Sequence, residues 1–166
     1  CLHDPKKVVR AMTKELEQTR SEFIEKIGVM AQGDGLPRIA GRLLGLLIWD
    51  GHAISFGDLA IKLQVSRASI SSATRILEER RLIKRTAKPG DRQDYLQIAD
   101  KPYIKMMESV ADGIEAAKAE IRDTLDDIPE ANQDLRDRVQ AYANFYDVLS
   151  EFAQSAAKKL GRADNQ

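Results

Sequence analysis

Apolar residues near the start of the chain fall at Val9, Met12, Leu16, Phe23, Ile27 and Met30. Steps of three and four, with Thr19 filling the gap, put them on one face of a helix whose other faces are charged. Gly33-Asp34-Gly35 stops that helix. In the next stretch, LPRIAGRLLGLLIWDG, Pro37 suits a first helical turn. Ile39, Leu43, Leu44, Leu46, Leu47 and Ile48 are apolar nearly all round, which predicts a deeply buried helix ending at Asp50-Gly51. Two further helices follow closely. In SFGDLAIKLQ, Ser55 and Asp58 form a capping box with Asp in place of the usual Glu, and Leu59, Ala60 and Leu63 face inward. In VSRASISSATRILEERRLI, Ser66 is the N-cap and Ile70, Ala73, Ile76 and Leu77 are the inward positions. Only Gln64 and Val65 separate the two, as in a helix-turn-helix.

The periodicity then shortens. LIKRT and YLQI flank AKPGDRQD, and Lys88-Pro89-Gly90-Asp91 has Pro and Gly where a type II turn places them. This predicts a small β-hairpin with one face covered. From Asp100, which can cap, and Pro102, in the first turn, the chain returns to helix. Met107, Val110, Ile114, Ala117, Ile121, Thr124 and Ile128 step as a heptad seam, broken at Asp127-Ile128-Pro129. Leu135, Val139, Tyr142, Tyr146, Leu149, Ala153, Ala156 and Leu160 continue the rhythm in a last helix, and GRADNQ is a frayed tail. The expected fold is mainly α: a winged helix-turn-helix with a small β-hairpin wing, flanked by long N- and C-terminal dimerisation helices. Its parts are an N-terminal helix over 5–33, the winged unit over 36–98 and a C-terminal helical region over 100–161.

Composition narrows the function. The 166 residues are 43% hydrophobic and 31% charged, as in a globular chain with a real core. No apolar run approaches the ~18–20 residues that cross a bilayer, and the start lacks both an apolar leader and an initiator Met, as in a trimmed chain. Cys1 is the single cysteine, which fits a reducing cytoplasm. His3 and His52 lie far apart with no Cys or His partner at ligand spacing, so no metal site is expected. No phosphate-cradling loop follows a strand, and no nucleophile has a base near it in sequence, so the chain does not read as an enzyme and no cofactor is implied.

Net charge is zero, but its distribution is uneven. Arg80, Arg81, Lys84, Arg85, Lys88 and Arg92 face one acid, Asp91, between positions 80 and 92. Acids dominate from Asp100 to Asp137, eleven against five bases. A local basic patch is what a nucleic-acid contact needs. The small polar and basic start of the fourth helix (Ser66, Arg67, Ala68, Ser69, Ser71, Ser72 and Arg75) suits a recognition helix in the major groove of double-stranded DNA. The plainer alternative is a solvated helix face. The hairpin tip, with Lys88 and Arg92, suits the adjacent minor groove, with Lys84 and Arg85 on the strands near phosphates and Asp91 orienting Arg92. The plainer alternative is a charged surface turn. Trp49, Tyr103, Tyr142, Phe145 and Tyr146 are candidates for a small-molecule pocket, since aromatic cages bind quaternary ammonium ions. Core and interface packing is the simpler use of the same rings.

The segments LPRIAGRLLGLLIWDG, SFGDLAIKLQVSRASISSATRILEERRLIKR and KPGDRQDYLQI together resemble the winged-helix MarR superfamily, in particular its GbsR-type branch of bacterial transcriptional regulators. Pro37, Arg38, Gly41 and Arg42, then Ser66, Ser69, Ser71 and Arg75, carry the likeness. It implies a homodimeric, ligand-modulated transcription factor, often a repressor, on a palindromic operator. By position, Ser66 to Arg75 become the recognition helix and Lys88 to Arg92 the wing. Many wings of this type carry a second Arg after the Asp-Arg pair, and here Gln93 stands in its place. A winged-helix adaptor that contacts proteins without reading DNA is the alternative.

Overall fold

The structure, a computed structural model, describes residues 5–163, with side chains from Met12 onward. Cys1, His3 and the Val9 side chain lie outside the described residues. The elements are α1 (Pro5–Gly33), α2 (Arg38–Asp50), β1 (Ile54–Ser55), α3 (Phe56–Leu63), α4 (Arg67–Glu79), β2 (Ile83–Ala87), β3 (Asp94–Ile98), α5 (Pro102–Asp127) and α6 (Gln133–Ala163). The chain divides into two compact units between Asp100 and Lys101. The mainly α winged helix-turn-helix is as expected, and α1 packs on α2 within the first unit.

The core of the first unit is built on α2. Leu43, Leu46 and Leu47 are fully enclosed, joined by Leu59 and Leu63 of α3, Ile70, Ala73 and Leu77 of α4, and Leu96 of β3. The opposite side of α2 is made of glycines. A Cβ at Gly41 would lie 2.4 Å from the Ile27 carbonyl oxygen and 2.6 Å from the Ala31 Cβ, so α1 crosses at backbone contact. α1 therefore turns a different face inward than its larger apolar residues suggest. Ile24 and Ala31 are buried, whereas Met12, Leu16 and Met30 are exposed. Polar ties flank the crossing. Glu25 accepts from Arg38 and Arg42, each at 2.7 Å. Arg20 grips Asp50 with two bonds of 2.8 Å, and Lys62 of α3 adds its charge at 3.8 Å.

The local stops are those the sequence signals. Gly35 takes a left-handed conformation, and Leu36 N–H reaches back to the Ala31 carbonyl at 2.8 Å. Gly51 does the same for α2. Ser55 accepts from Asp58 N–H at 3.1 Å, and Ser66 from Ser69 N–H at 3.1 Å. Gln64, the turn residue between α3 and α4, is left-handed without being a glycine. Asp100 does not cap α5: Lys101 holds the cap position without a side-chain bond, and Asp100 accepts from Lys84 Nζ at 2.8 Å.

The sheet has three antiparallel strands in the order β1-β3-β2. β2 and β3 pair from Ile83↔Ile98 to Ala87↔Asp94. β1, which sequence pattern does not reveal, adds Ile54↔Leu96 and Ser55↔Tyr95.

In the second unit, α5 and α6 pack as a helical hairpin. Its seam is small and partly polar: Leu125, Ala143, Ser150 and Ala153 are buried. Ser150 hydroxyl donates to Glu115, which also accepts from Lys118 at 2.9 Å. The expected inward residues Leu135, Tyr142 and Leu160 are exposed instead. Among the described residues, no helix is long and apolar enough to cross a membrane.

Gly41→Ala forces α1 away from α2 and should cost about 1–3 kcal/mol, read as a lower denaturant midpoint. The Arg20 guanidinium, hydrogen-bonded to Asp50, holds that carboxyl below its ordinary value, against the opposing effect of burial. A depressed folded-state pKa gives stability that is present above the unfolded value, near pH 4, and lost as pH falls through the folded one. Asp50→Asn should therefore flatten the acid limb of the stability profile below about pH 4, measured by denaturant titration at each pH.

Candidate nucleic-acid interface

α4 has two unlike sides. Ile70, Ala73, Thr74 and Leu77 are buried, with the Thr74 hydroxyl bonded to the Ile70 carbonyl at 2.7 Å. The other side exposes Ser66, Arg67, Ala68, Ser71, Ser72 and Arg75, and Ser69 is half-buried. The hydroxyls of Ser66 and Ser69 lie 2.9 Å apart, so the cap is closed on itself. At 3.6 residues per turn, positions 67, 71 and 75 stack along the helix with 68 and 72 beside them. Small side chains there let a groove wall approach the backbone, and the two arginines supply donors.

The wing projects from the same unit. Asp91 N–H donates to the Lys88 carbonyl at 3.0 Å and Gly90 is left-handed, which makes the expected type II turn. Lys88 and Arg92 are exposed at its tip. Asp91 does not aim Arg92 by an ion pair. Its carboxylate accepts from the Tyr95 hydroxyl at 2.6 Å and from Gln93 N–H at 3.0 Å. These bonds hold the Asp91 carboxyl below the usual carboxylate range, the Tyr95 bond contributing most, and the same bond pushes the Tyr95 phenol up. Lys88 Nζ sits 4.2 Å from the centre of the Tyr95 ring. Tyr95, which the sequence pattern marks only as a strand residue, organises the wing tip. Its aromatic type so near a Pro-Gly turn was the available signal.

Arg85 departs from its expected role. Its guanidinium bonds Glu78 of α4 at 2.8 and 3.3 Å and Asp94 of β3 at 3.2 Å, and lies 5.3 Å from the Phe56 ring of α3. Glu78 pushes its pKa further up, with Asp94 adding to the effect. One side chain thus ties α3, α4, β2 and β3 together. Lys84 is likewise engaged, by Asp100.

Within the second unit the aromatic candidates fall into two groups. Tyr142, Phe145 and Tyr146 form one cluster on α6, with Tyr142 and Tyr146 edge to face at 5.1 Å. Tyr103 lines a separate groove with Ile104 and Leu160. Trp49 packs on Phe23 at 5.5 Å inside the first unit. The α6 cluster is open to solvent rather than enclosed, with Tyr142 and Phe145 each more than half exposed.

A helix-turn-helix backed by a hairpin wing defines the class, a winged-helix module. Residues 46–94 match the model of the MarR family. The chain is 29% identical over 148 residues to the HTH-type transcriptional regulator MmpR5 of Mycobacterium tuberculosis, covering 86% of this chain and 90% of that one. A crystal structure described as a transcriptional regulator superposes with a TM-score of 0.77 at 26% identity, over 89% of this chain and 99% of that one.

Glu78→Gln removes the main anchor of Arg85. The expected loss is at most about 1 kcal/mol, because the pair is partly exposed. Amide exchange in β2 and β3 should quicken while that in α2 does not, measured by hydrogen–deuterium exchange.

Proposed function

We propose that the chain is a sequence-specific, double-stranded DNA-binding transcriptional regulator, acting as a homodimer on a palindromic operator and, in the manner of the GbsR-type branch, as a ligand-responsive repressor. The carrying observation is the exposed side of α4. Its serines, Ala68, Arg67 and Arg75 stand on a helix whose other side is locked into the core, beside a wing that presents Lys88 and Arg92. The superfamily match and the likeness to a regulator over most of both chains support the same reading.

In this mechanism α4 enters the major groove. Arg75 is placed to make a bidentate bond to guanine, and the serines contact bases or phosphates. Arg67, Lys88 and Arg92 release counterions from the backbone. Arg85 holds the wing at a fixed angle to α4, so both grooves are met together.

The homodimer is supported by a second apolar row on α6. Tyr142, Phe145, Leu149 and Phe152 recur at heptad spacing, roughly a third of a turn from the seam with α5. Phe152 is 72% exposed, which for a large aromatic in such a row fits a surface made to be covered. Paired subunits place two copies of α4 on half-sites about one helical turn apart. An effector that alters that spacing weakens binding to both at once.

Selection of bound duplexes from genomic fragments should return a palindrome, bound with an affinity that falls steeply as salt rises. Arg75→Ala should cost about 1–3 kcal/mol on that duplex and relax preference at one base position per half-site, measured by fluorescence anisotropy. Full affinity of the Arg75 variant sinks the recognition-helix assignment, and the lack of any salt-dependent DNA affinity leaves an adaptor in its place.

A further inference from the structure

Three elements of the reading unit converge on Gly57, in the first turn of α3. A Cβ there would lie 3.4 Å from Arg67 Nη2 and 3.7 Å from Gln93 Oε1. The guanidinium of the first α4 residue and the amide of a wing residue therefore share the space above one glycine. Gln93 is delivered there by a fixed backbone. Its N–H is held by Asp91, whose second oxygen takes the Tyr95 hydroxyl. Arg67, by contrast, is exposed and makes no hydrogen bond or ion pair among the described residues, with Gln93 or any other.

Resting on the DNA-binding reading above, we propose that Gln93 is a positioning residue for Arg67, and that its neutrality is what the site requires. The charge at position 93 decides among three outcomes. A carboxylate would pair with Arg67 and cancel the cation that a phosphate or base needs. A second cation so close would repel the guanidinium and swing it away. A neutral amide does neither: it bounds the space beside Arg67 with an uncharged side chain and leaves the guanidinium its counterion-releasing power. The wing and the start of α4 thereby meet over Gly57 through a neutral side chain, in addition to the ionic tie that Arg85 makes to Glu78.

The test is a cycle of Gln93→Arg and Arg67→Ala, singly and together. It is read as Kd on the selected operator and on a scrambled duplex of equal length, across a salt series. Added positive charge alone would tighten every DNA. Gln93→Arg should tighten the scrambled duplex, steepening its salt dependence by about one phosphate contact. It should nevertheless lower the operator-to-scrambled preference by about tenfold. In the Arg67→Ala background the same change should tighten both duplexes alike. Gln93→Lys, a cation of different shape, should reproduce the loss of preference, and unchanged thermal melting excludes misfolding as its source. Equal tightening of both duplexes with Arg67 present, or identical shifts in the two backgrounds, overturns the coupling while leaving the DNA-binding reading intact. A parent protein that prefers no duplex overturns that reading, and the coupling with it.

Discussion

The buried face of α2 is the contact on which the first unit depends. Leu43, Leu46 and Leu47 meet α3, α4 and β3 on one side, while Gly41 and Gly45 admit α1 on the other. Close-packed interiors transmit displacement rather than absorbing it. The direction in which Arg75 and the serines of α4 face is thus a consequence of where Ile70, Ala73 and Leu77 must go. The wing inherits its place in the same way, through Leu96 of β3.

On this frame the charges divide into two kinds. Arg85, Glu78 and Asp94 hold parts of the unit together and are largely spent on one another, while Asp91 is engaged by the Tyr95 hydroxyl and the Gln93 N–H. Arg67, Arg75, Lys88 and Arg92 are exposed and form no ion pair among the described residues, although Lys88 rests its ammonium on the Tyr95 ring. A count of basic residues between 80 and 92 overstates the cations available to a polyanion, because Lys84 and Arg85 already have carboxylate partners. In the proposed role, what suits the surface to DNA is the geometry of the remainder. The acids in the wing do not weaken it, since they orient its turn and strands.

Much of this was legible in the sequence, because the signals were local. The serine caps at Ser55 and Ser66, the Gly stops at Gly35 and Gly51 and the Pro-Gly turn each act within a few residues, and each falls where expected. The misses are non-local. β1 is two residues long and exists only because Leu96 and Tyr95 lie opposite it. Arg85 sits among basic residues in sequence, yet its partners are seven and nine positions away across a turn. On α6, two apolar rows run side by side, and spacing cannot say which meets α5. The row of small residues does, since Ala143, Ser150 and Ala153 allow a closer approach than Tyr142 and Phe145 would. The aromatic candidates of the second unit show the same limit: ring type indicates burial or contact, but not with whom.

That narrow seam bears on how the protein holds its shape. Among the described residues, the α5–α6 hairpin encloses only Leu125, Ala143 and Ala153 as apolar core, against a broad leucine core in the first unit. Two helices of such length, joined by so little enclosed hydrocarbon, draw limited stability from each other. In the proposed homodimer, a partner covering Phe145 and Phe152 would add the apolar burial that this seam lacks. The leucine core of the winged unit is enclosed within one chain, so subunit pairing would stabilise the hairpin more than the unit that carries α4, and the amount of protein present would enter its architecture.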